Sequence, residues 1–423
     1  MAQNDFSQGK MARNILSMAG PMTVAQIINI LYNIVDRVYL GHLEGVGRLS
    51  ITGLGLCLPI ISILIGFANL CGMGGAPLCS IHRGHGEQEE AEGVMGNSFT
   101  LLILFGVLLT TVCLAFKRPI LYLFGASDIT FPYANDYLTI YLCGTLFVMI
   151  GLGMNPFINS QGFGRIGMMT VALGAAINLI LDPVFIFAFH MGVKGAALAT
   201  VLSQGCSAVW VLRFLTGKRA ILRLRPSALR LKWSRVRRIL ALGTSGFVMS
   251  LTNSLVQILC NKTLQMTGGE LYVGIMTVIN SVREVITMPV HGVTSGCQPV
   301  LGYNYGAEQY GRCRGILWRL MGAEFLLGVL ALLITQLFPR QIIGLFGSES
   351  ELYNEFAVMT FRVYLCMLPL ATVNKAAFIF MQAMGRPVES AGLSFFREVL
   401  LAVPLVMLLP RAFGLMGVLY SMP

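Results

Sequence analysis

Two carboxylates stand where a strongly apolar sequence should carry none. Asp182 lies in "NLILDPVF", residues 178–185, with apolar residues on both sides and the helix-breaking Pro183 next to it. Asp36 lies in "NILYNIVDRVYL", where Asn29, Tyr32 or Asn33, and Asp36 fall at i, i+3/i+4 and i+7 and so draw a polar stripe along one side of a helix. Asn178 precedes Asp182 by one helical turn on the same face. An Asp at the centre of a membrane helix costs about 2.5–3.5 kcal/mol on insertion scales, so its presence calls for a use. Counting about 1.5 Å per residue, Asp36 comes close to the far end of the first span, Asp182 past the middle of the fifth, and Thr200 a turn or two into the sixth. All of them can meet in the outer half of one helix bundle. Two carboxylates with amide and hydroxyl oxygens form a hard-oxygen set for a small cation. The same pair in a low dielectric can instead hold a proton. The structural alternatives are an Asp182 that caps backbone broken at Pro183 or faces water, and an Asp36 paired with Arg37.

The elements that must position these residues are membrane helices. The chain is 55% hydrophobic and 12% charged, against about 25% charged in a soluble domain, and its mean hydropathy is +0.73. Apolar windows place spans near 15–40, 51–73, 94–116, 133–158, 167–190 and 195–215. A second set falls near 239–266, 273–297, 315–338, 356–381 and 390–410. A further segment begins at "GLMGVLYSMP" and stops, which reads as a twelfth helix cut short. Ten-residue segments of period two, the mark of a closed barrel, are absent. The N-terminus lacks a short apolar stretch with a small-residue cleavage site, so the first span is expected to stay in the mature protein. The 10 cysteines show no CxxC pair or metal-like spacing and read as small core residues.

Charge sets the orientation. Lys10, Arg13, Arg83, Arg165, Arg312, Arg314 and Arg386 fall on the face of the N-terminus, with the nine Lys and Arg of "KRAILRLRPSALRLKWSRVRR" at 218–238. The other face receives Arg48, Lys117, Arg118, Lys194, Arg340 and Arg411. The excess makes the first face cytoplasmic and the basic stretch a loop against anionic lipid, not a nucleic-acid site.

The chain also repeats itself. "APLCSIHRGHGE" at 76–87 aligns with "QPVLGYNYGAEQ" at 298–309, pairing Pro77 with Pro299 and Gly84 with Gly306, an offset of 222. "LFG" at 123–125 and 345–347, "YLC" at 141–143 and 364–366, "QGFGR" and "QAMGR" at 161–165 and 382–386, and "GVKG" and "GLMG" at 192–195 and 414–417 follow in order. The expected fold is therefore all-α and integral to the membrane: two homologous six-helix bundles, 1–217 and 239–423, joined by the linker 218–238. Six helices per unit put both halves the same way up, with a pseudo-twofold along the membrane normal. Two such bundles can rock about their interface; a rigid duplicated scaffold such as a channel is the alternative. The halves differ where function can hide. Pro183 matches Pro404, but Asp182 matches Val403.

These features together resemble the multidrug and toxic compound extrusion (MATE) family. The resemblance is carried by "GPMTVAQIINILYNIVDRVYLG", "NPFINSQGFGR", "NLILDPVFIF", "GCQPVLGYNYGA" and "REVLLAVPLVMLLPRAFGLMGV", over nearly the whole chain. It is closest to the bacterial branch with acidic residues in the first bundle. The resemblance implies twelve helices in two lobes and export of drug-like organic cations against inward Na⁺ or H⁺. It implies a monomer in the cytoplasmic membrane, without enzymatic activity or cofactor. Carried over by position, the cation site comprises Asp36, Asn178, Asp182 and Thr200, with no other metal. Pro21 and Tyr32 match positions tied to bending of the first helix, and Asn155 is a polar neighbour.

Weaker signals stand beside these. Glu284, in "NSVREVITMPVHG", could attract a cationic substrate in the second lobe with Met288 beside it, or pair with Lys375 or Arg362. The 23 Met residues could line an adaptable cavity or simply fill the core. "HRGHGEQEE" has His and Glu at metal-like distances, but it reads as a loop whose repeat partner lacks them. "CGMGGAP" follows a helix and fails the context of a dinucleotide motif. A lipid-linked saccharide flippase of the same superfamily would need a cationic cavity, and few Lys or Arg lie within spans. A non-transporting or degenerate membrane protein is the remaining reading.

Overall fold

The structure, a computed structural model, describes residues 5–41, 47–268, 270–344 and 351–420. The repeat members at 345–347 and the final 421–423 lie outside the described residues, as do the side chains of Asn33 and Arg37. The first half holds α1 (Met11–Gly41), α2 (Gly47–Gly84), α3 (Gln88–Ala115), α4 (Lys117–Leu123), α5 (Phe131–Cys143), α6 (Thr145–Ser160), α7 (Gly164–Pro183) and α8 (Val193–Thr216). The second holds α9 (Trp233–Gly268), α10 (Glu270–Gly306), α11 (Tyr310–Leu337), α12 (Pro339–Gly344), α13 (Glu351–Tyr364), α14 (Leu368–Ala383), α15 (Pro387–Phe395), α16 (Val403–Phe413) and α17 (Leu415–Tyr420). Lipid offers backbone groups no partner, so apolar runs of this length satisfy themselves as helices. Among the described residues six helices are long and apolar enough to span, or eight if each bent pair counts as one.

Four expected spans are not single rods. The span 133–158 breaks at Gly144 into α5 and α6, bent by 58°, and its counterpart breaks into α13 and α14, bent by 44°. Beyond Pro183 the chain runs on as a π-turn, Val184–Ala188, and a second π-turn, Phe396–Ala402, precedes Pro404. A proline lacks the N–H that would continue the ladder, and the wider turn absorbs the lost bond. α1 runs unbroken through Pro21. α2 reaches Gly84, eleven residues past the expected end, so His82 and Arg83 are helical rather than in a loop.

The repeat recurs in the backbone. Gly192 and Gly414 share a φ of +56°, and Gly86 (φ +80°) is matched by Glu308 (φ +56°), both pairs 222 apart. It recurs in the packing too. A Cβ on Gly84 would strike the Tyr303 carbonyl, and one on Gly306 the Ile81 carbonyl. Tyr303 and Gly306 stand 222 residues after Ile81 and Gly84, so this is one contact made twice about a pseudo-twofold. Gly74 and Gly243 bring α2 and α9 equally close, against Ile239 and Leu70, and Gly296 and Gly292 bring α10 against Ala19 and Thr23 of α1.

These approaches join the lobes at the face that carries the N-terminus. One apolar core there mixes Ala91, Val94 and Phe157 with Leu222, Val236 and Ile239. Another mixes Phe6, Ile15 and Met18 with Val300, Ile316 and Ala383. Two further cores each stay within one half. The basic linker is strapped down rather than free. Asn97 Nδ2 donates to the Ala228 and Arg230 carbonyls, Gln161 Oε1 accepts from the Ile221 and Leu222 amides, and Arg235 forms a two-pronged pair with Glu90 at 2.7 and 3.0 Å. Lys218, Arg219, Arg223, Arg230 and Arg237 remain exposed along it. The N-terminal segment straps the other half in the same way: Asn304 and Arg312 donate to the Phe6 carbonyl. There Ser7, through its amide and hydroxyl, holds the Asp5 carboxyl below the usual carboxylate range.

Gly243→Ala should therefore destabilise the protein by about 1–3 kcal/mol, because the added methyl meets backbone rather than a yielding side chain. Gly322→Ala on α11, where a Cβ meets nothing within 4 Å, should be neutral or stabilising by up to about 1 kcal/mol. Melting of the purified protein in detergent checks both.

Candidate functional site

Asp182 is 1% exposed and Asn178 2% exposed, both on the inward face of α7. Asn178 Nδ2 donates to Asp182 Oδ1 at 3.4 Å, and Asp182 Oδ2 meets no donor among the described residues. Asp36 is buried near the end of α1, and its charge acts on both Asp182 and Tyr32. Thr200 is buried two turns into α8, its hydroxyl donating to the Ala196 carbonyl at 3.0 Å. The four residues expected to form a cation site thus converge on the end of the first lobe away from the linker. Amphipathic placement explains why: each lies on the polar stripe of a largely apolar helix, turned toward its neighbours because lipid cannot solvate it.

Two residues join them that the sequence reading passed over. Tyr137 and Tyr141 on α5 are buried, with rings stacked at 6.0 Å. Tyr137 is within hydrogen-bond reach of Thr200, and the charge of Asp36 acts on it. Their i, i+4 spacing in "YLTIY" was the available signal; the break at Gly144 that turns α5 toward α8 was not visible.

Below this cluster lies a cavity of about 290 Å³ between α1, α2, α6, α7, α8 and the middle of α10. Its polar lining is amide and hydroxyl, including Gln26, Asn29, Asn155, Gln204 and Gln298, and among the described residues none that lines it is acidic or basic. Tyr32 lines the cavity, and the charges of both carboxylates act on it, so it borders the cavity and the cluster alike. Asn155 belongs to the cavity alone, its Nδ2 donating to the Gly167 carbonyl at 3.3 Å. Pro21 is fifteen residues before Asp36, about 22 Å along the helix, and takes no part in the cluster.

The second-lobe expectation fares differently. Glu284 is exposed and Met288 buried, and neither lines the cavity. Lys375 contacts His291 rather than Glu284, and Arg283 lies over the Tyr364 ring at 5.5 Å. At the α2–α3 turn the ligand atoms of His82, His85 and Glu87 come within 4.8 Å of one another. Glu87 and Arg238 already occupy the two ring nitrogens of His82, at 2.6 and 3.3 Å, and a guanidinium beside the ring repels a cation.

Comparison with known proteins gives one consistent result. The sequence model of a family described as MatE matches residues 21–184 and again 246–408. The multidrug export proteins MepA of Staphylococcus haemolyticus and Staphylococcus aureus are 24% identical over 422 residues, covering 99% of this chain and 91% of theirs. Among solved structures, an outward-facing multidrug resistance MATE transporter of the MOP superfamily superposes with a TM-score of 0.92 at 22% identity, over 100% of this chain and 94% of the other. A MOP superfamily transporter from Pyrococcus furiosus gives the same TM-score, identity and coverage.

Because the carboxylates act on each other, Asp36→Asn and Asp182→Asn should not be additive. A double-mutant cycle on unfolding should give a coupling of about 0.5–3 kcal/mol; independent effects would place the two groups in separate environments.

Proposed function

The chain belongs to the MatE family of multi-pass membrane transporters, and from that premise we propose that it is a secondary active antiporter. It exports drug-like organic cations in exchange for inward Na⁺ or H⁺, by alternating access between its two lobes in the cytoplasmic membrane, as a monomer with the N-terminus inside. The observation that carries this reading is the adjacency of a buried two-carboxylate cluster and an uncharged polar cavity, with Tyr32 common to both. Asp36, Asn178, Asp182 and Thr200 offer carboxylate, amide and hydroxyl oxygens, a donor set suited to Na⁺, and two like charges in a low dielectric also suit a proton.

The cavity suits the substrate class. A lining of amides, hydroxyls and an aromatic ring can hold an organic cation through oxygens and a ring face without binding it too tightly to release. A flippase for phosphate-linked saccharides would want basic residues there, and among the described residues none lines it. Coupling then needs no contact between ion and drug. Occupation of the carboxylates changes the charge at the end of α1 and α7, and the packing of α1 across both lobes transmits it. The Multidrug export protein MepA relatives support the same substrate class.

Cells producing Asp182→Asn should accumulate a lipophilic cationic dye to the level of cells without the transporter, while the variant is made and inserted in normal amount. Dye extrusion at the wild-type rate would make the carboxylate structural and sink the reading.

A further inference from the structure

The seam that closes the face of the N-terminus holds a cation between aromatic rings. Arg83, half-buried beside Gly84, belongs to α2 of the first lobe, and its Nη1 donates to the Ser160 carbonyl at the end of α6. Its guanidinium lies 5.2 Å from the ring centre of Tyr303, on α10 of the second lobe, and 5.9 Å from that of Phe6. The two rings meet edge to face at 5.8 Å. A planar cation set against two ring faces is an aromatic cage whose guest is a side chain of the other lobe. The glycine contacts beside it are duplicated, but the offset of 222 sets Tyr305 opposite Arg83, so the charge is not.

Half of the cage comes from a segment that belongs to no helix. Residues 5–10 precede α1, and Asn14 Nδ2 folds them back by donating to the Asp5 and Gln8 carbonyls at 3.1 and 3.0 Å. The second lobe then grips the segment. Asn304 Nδ2 and Arg312 Nη2 donate to the Phe6 carbonyl at 3.2 and 3.3 Å, and Arg312 Nη1 donates to the Gly9 carbonyl at 3.4 Å. Arg312 Nε is itself held by Asn304 Oδ1 at 2.9 Å. The Phe6 ring is 1% exposed, in the core it shares with Met18, Val300 and Ile316. The segment is thus fixed to α10 and α11, while Ser160 fixes Arg83 to the first lobe. Parting the lobes at this face must draw the guanidinium out from between the rings. Each of these contacts is modest alone, and the segment has no helix to unwind, so it can let go without cost to the fold.

We propose that the N-terminal segment is the latch of the inner gate. With Phe6 seated, Arg83 is caged and the face stays closed; with Phe6 withdrawn, Arg83 passes to water and the lobes part there. This rests on the alternating-access reading and adds to it the element that sets how often the inner face opens.

The test is a distance measurement between spin labels on the two lobes at that face. The labels go on Arg165→Cys of α7 and Val388→Cys of α15, both exposed, with Cys143, Cys206 and Cys366 replaced by serine. Phe6→Leu keeps the apolar bulk and removes the ring, and it should raise the ratio of long to short distances roughly tenfold, the scale of a lost desolvated cation–π contact. Arg83→Gln should do the same, and Arg83→Lys, which keeps a cation for the rings, should stay near wild type. Phe6→Leu combined with Arg83→Gln should shift the ratio no further than the larger single change, because both remove one contact. If Arg83→Gln does not fold, Phe6→Leu and deletion of residues 2–9 carry the test. Distances unmoved by both of these, or single effects that simply add, overturn the latch. Gradient-driven dye flux by the wild type is followed in the same preparation. Flux with unmoved distances sinks the latch alone, whereas shifted distances without flux sink the antiport reading and leave the latch standing.

Discussion

The constraint on which the rest depends is the desolvation of Asp36 and Asp182. A carboxylate inside a bilayer must be protonated, paired or bound to a cation, and here two of them share one buried corner. The polar groups nearest to them are arranged around that fact. Asn178 and Thr200 supply neutral oxygens or donors, Tyr137 and Tyr141 wall the corner with rings, and Tyr32 passes from it into the cavity. In the proposed antiport this cost is what couples ion to protein, because a bound cation or proton would relieve it.

What the proposed coupling would act on is set by the packing. Backbone-to-backbone approach at Gly84, Gly306, Gly74 and Gly243 closes the face of the N-terminus, and two apolar cores there are shared between lobes. At the opposite end each lobe keeps its own core. The carboxylates sit at that opposite, separable end. The straps make the closed face a continuous structure, since the linker is tied onto the first half and the N-terminal segment onto the second. Opening this face means breaking charge-assisted bonds such as Arg235–Glu90 together with the glycine contacts, so the two ends cannot both open cheaply.

Much of this was legible in the residues. Composition and window length gave a helical membrane protein, the 222-residue offset gave the duplication that reappears in the φ values of Gly192 and Gly414, and helical periodicity put Asn178 and Asp182 on one face. Depth counting brought Asp36, Asp182 and Thr200 together because helices crossing one bilayer share a ruler. The parts that escaped depend on deviations from that ruler. The bend at Gly144 decides where Tyr137 points, and the length of α2 decides that His82 meets Glu87 and Arg238. The strapping of the linker was hidden because its alternation of basic and small apolar residues fits protein on one side and lipid on the other.

Direct evidence on the central claim comes from purified protein in proteoliposomes, with a lipophilic cationic dye followed under an imposed Na⁺ gradient and then a pH gradient, for wild type and Asp182→Asn. The account predicts flux driven by at least one gradient and abolished by the substitution, and the effective gradient names the coupling ion. Gradient-driven flux of equal size in both proteins would contradict it, because the buried carboxylate pair would then be architecture and the energy would enter elsewhere.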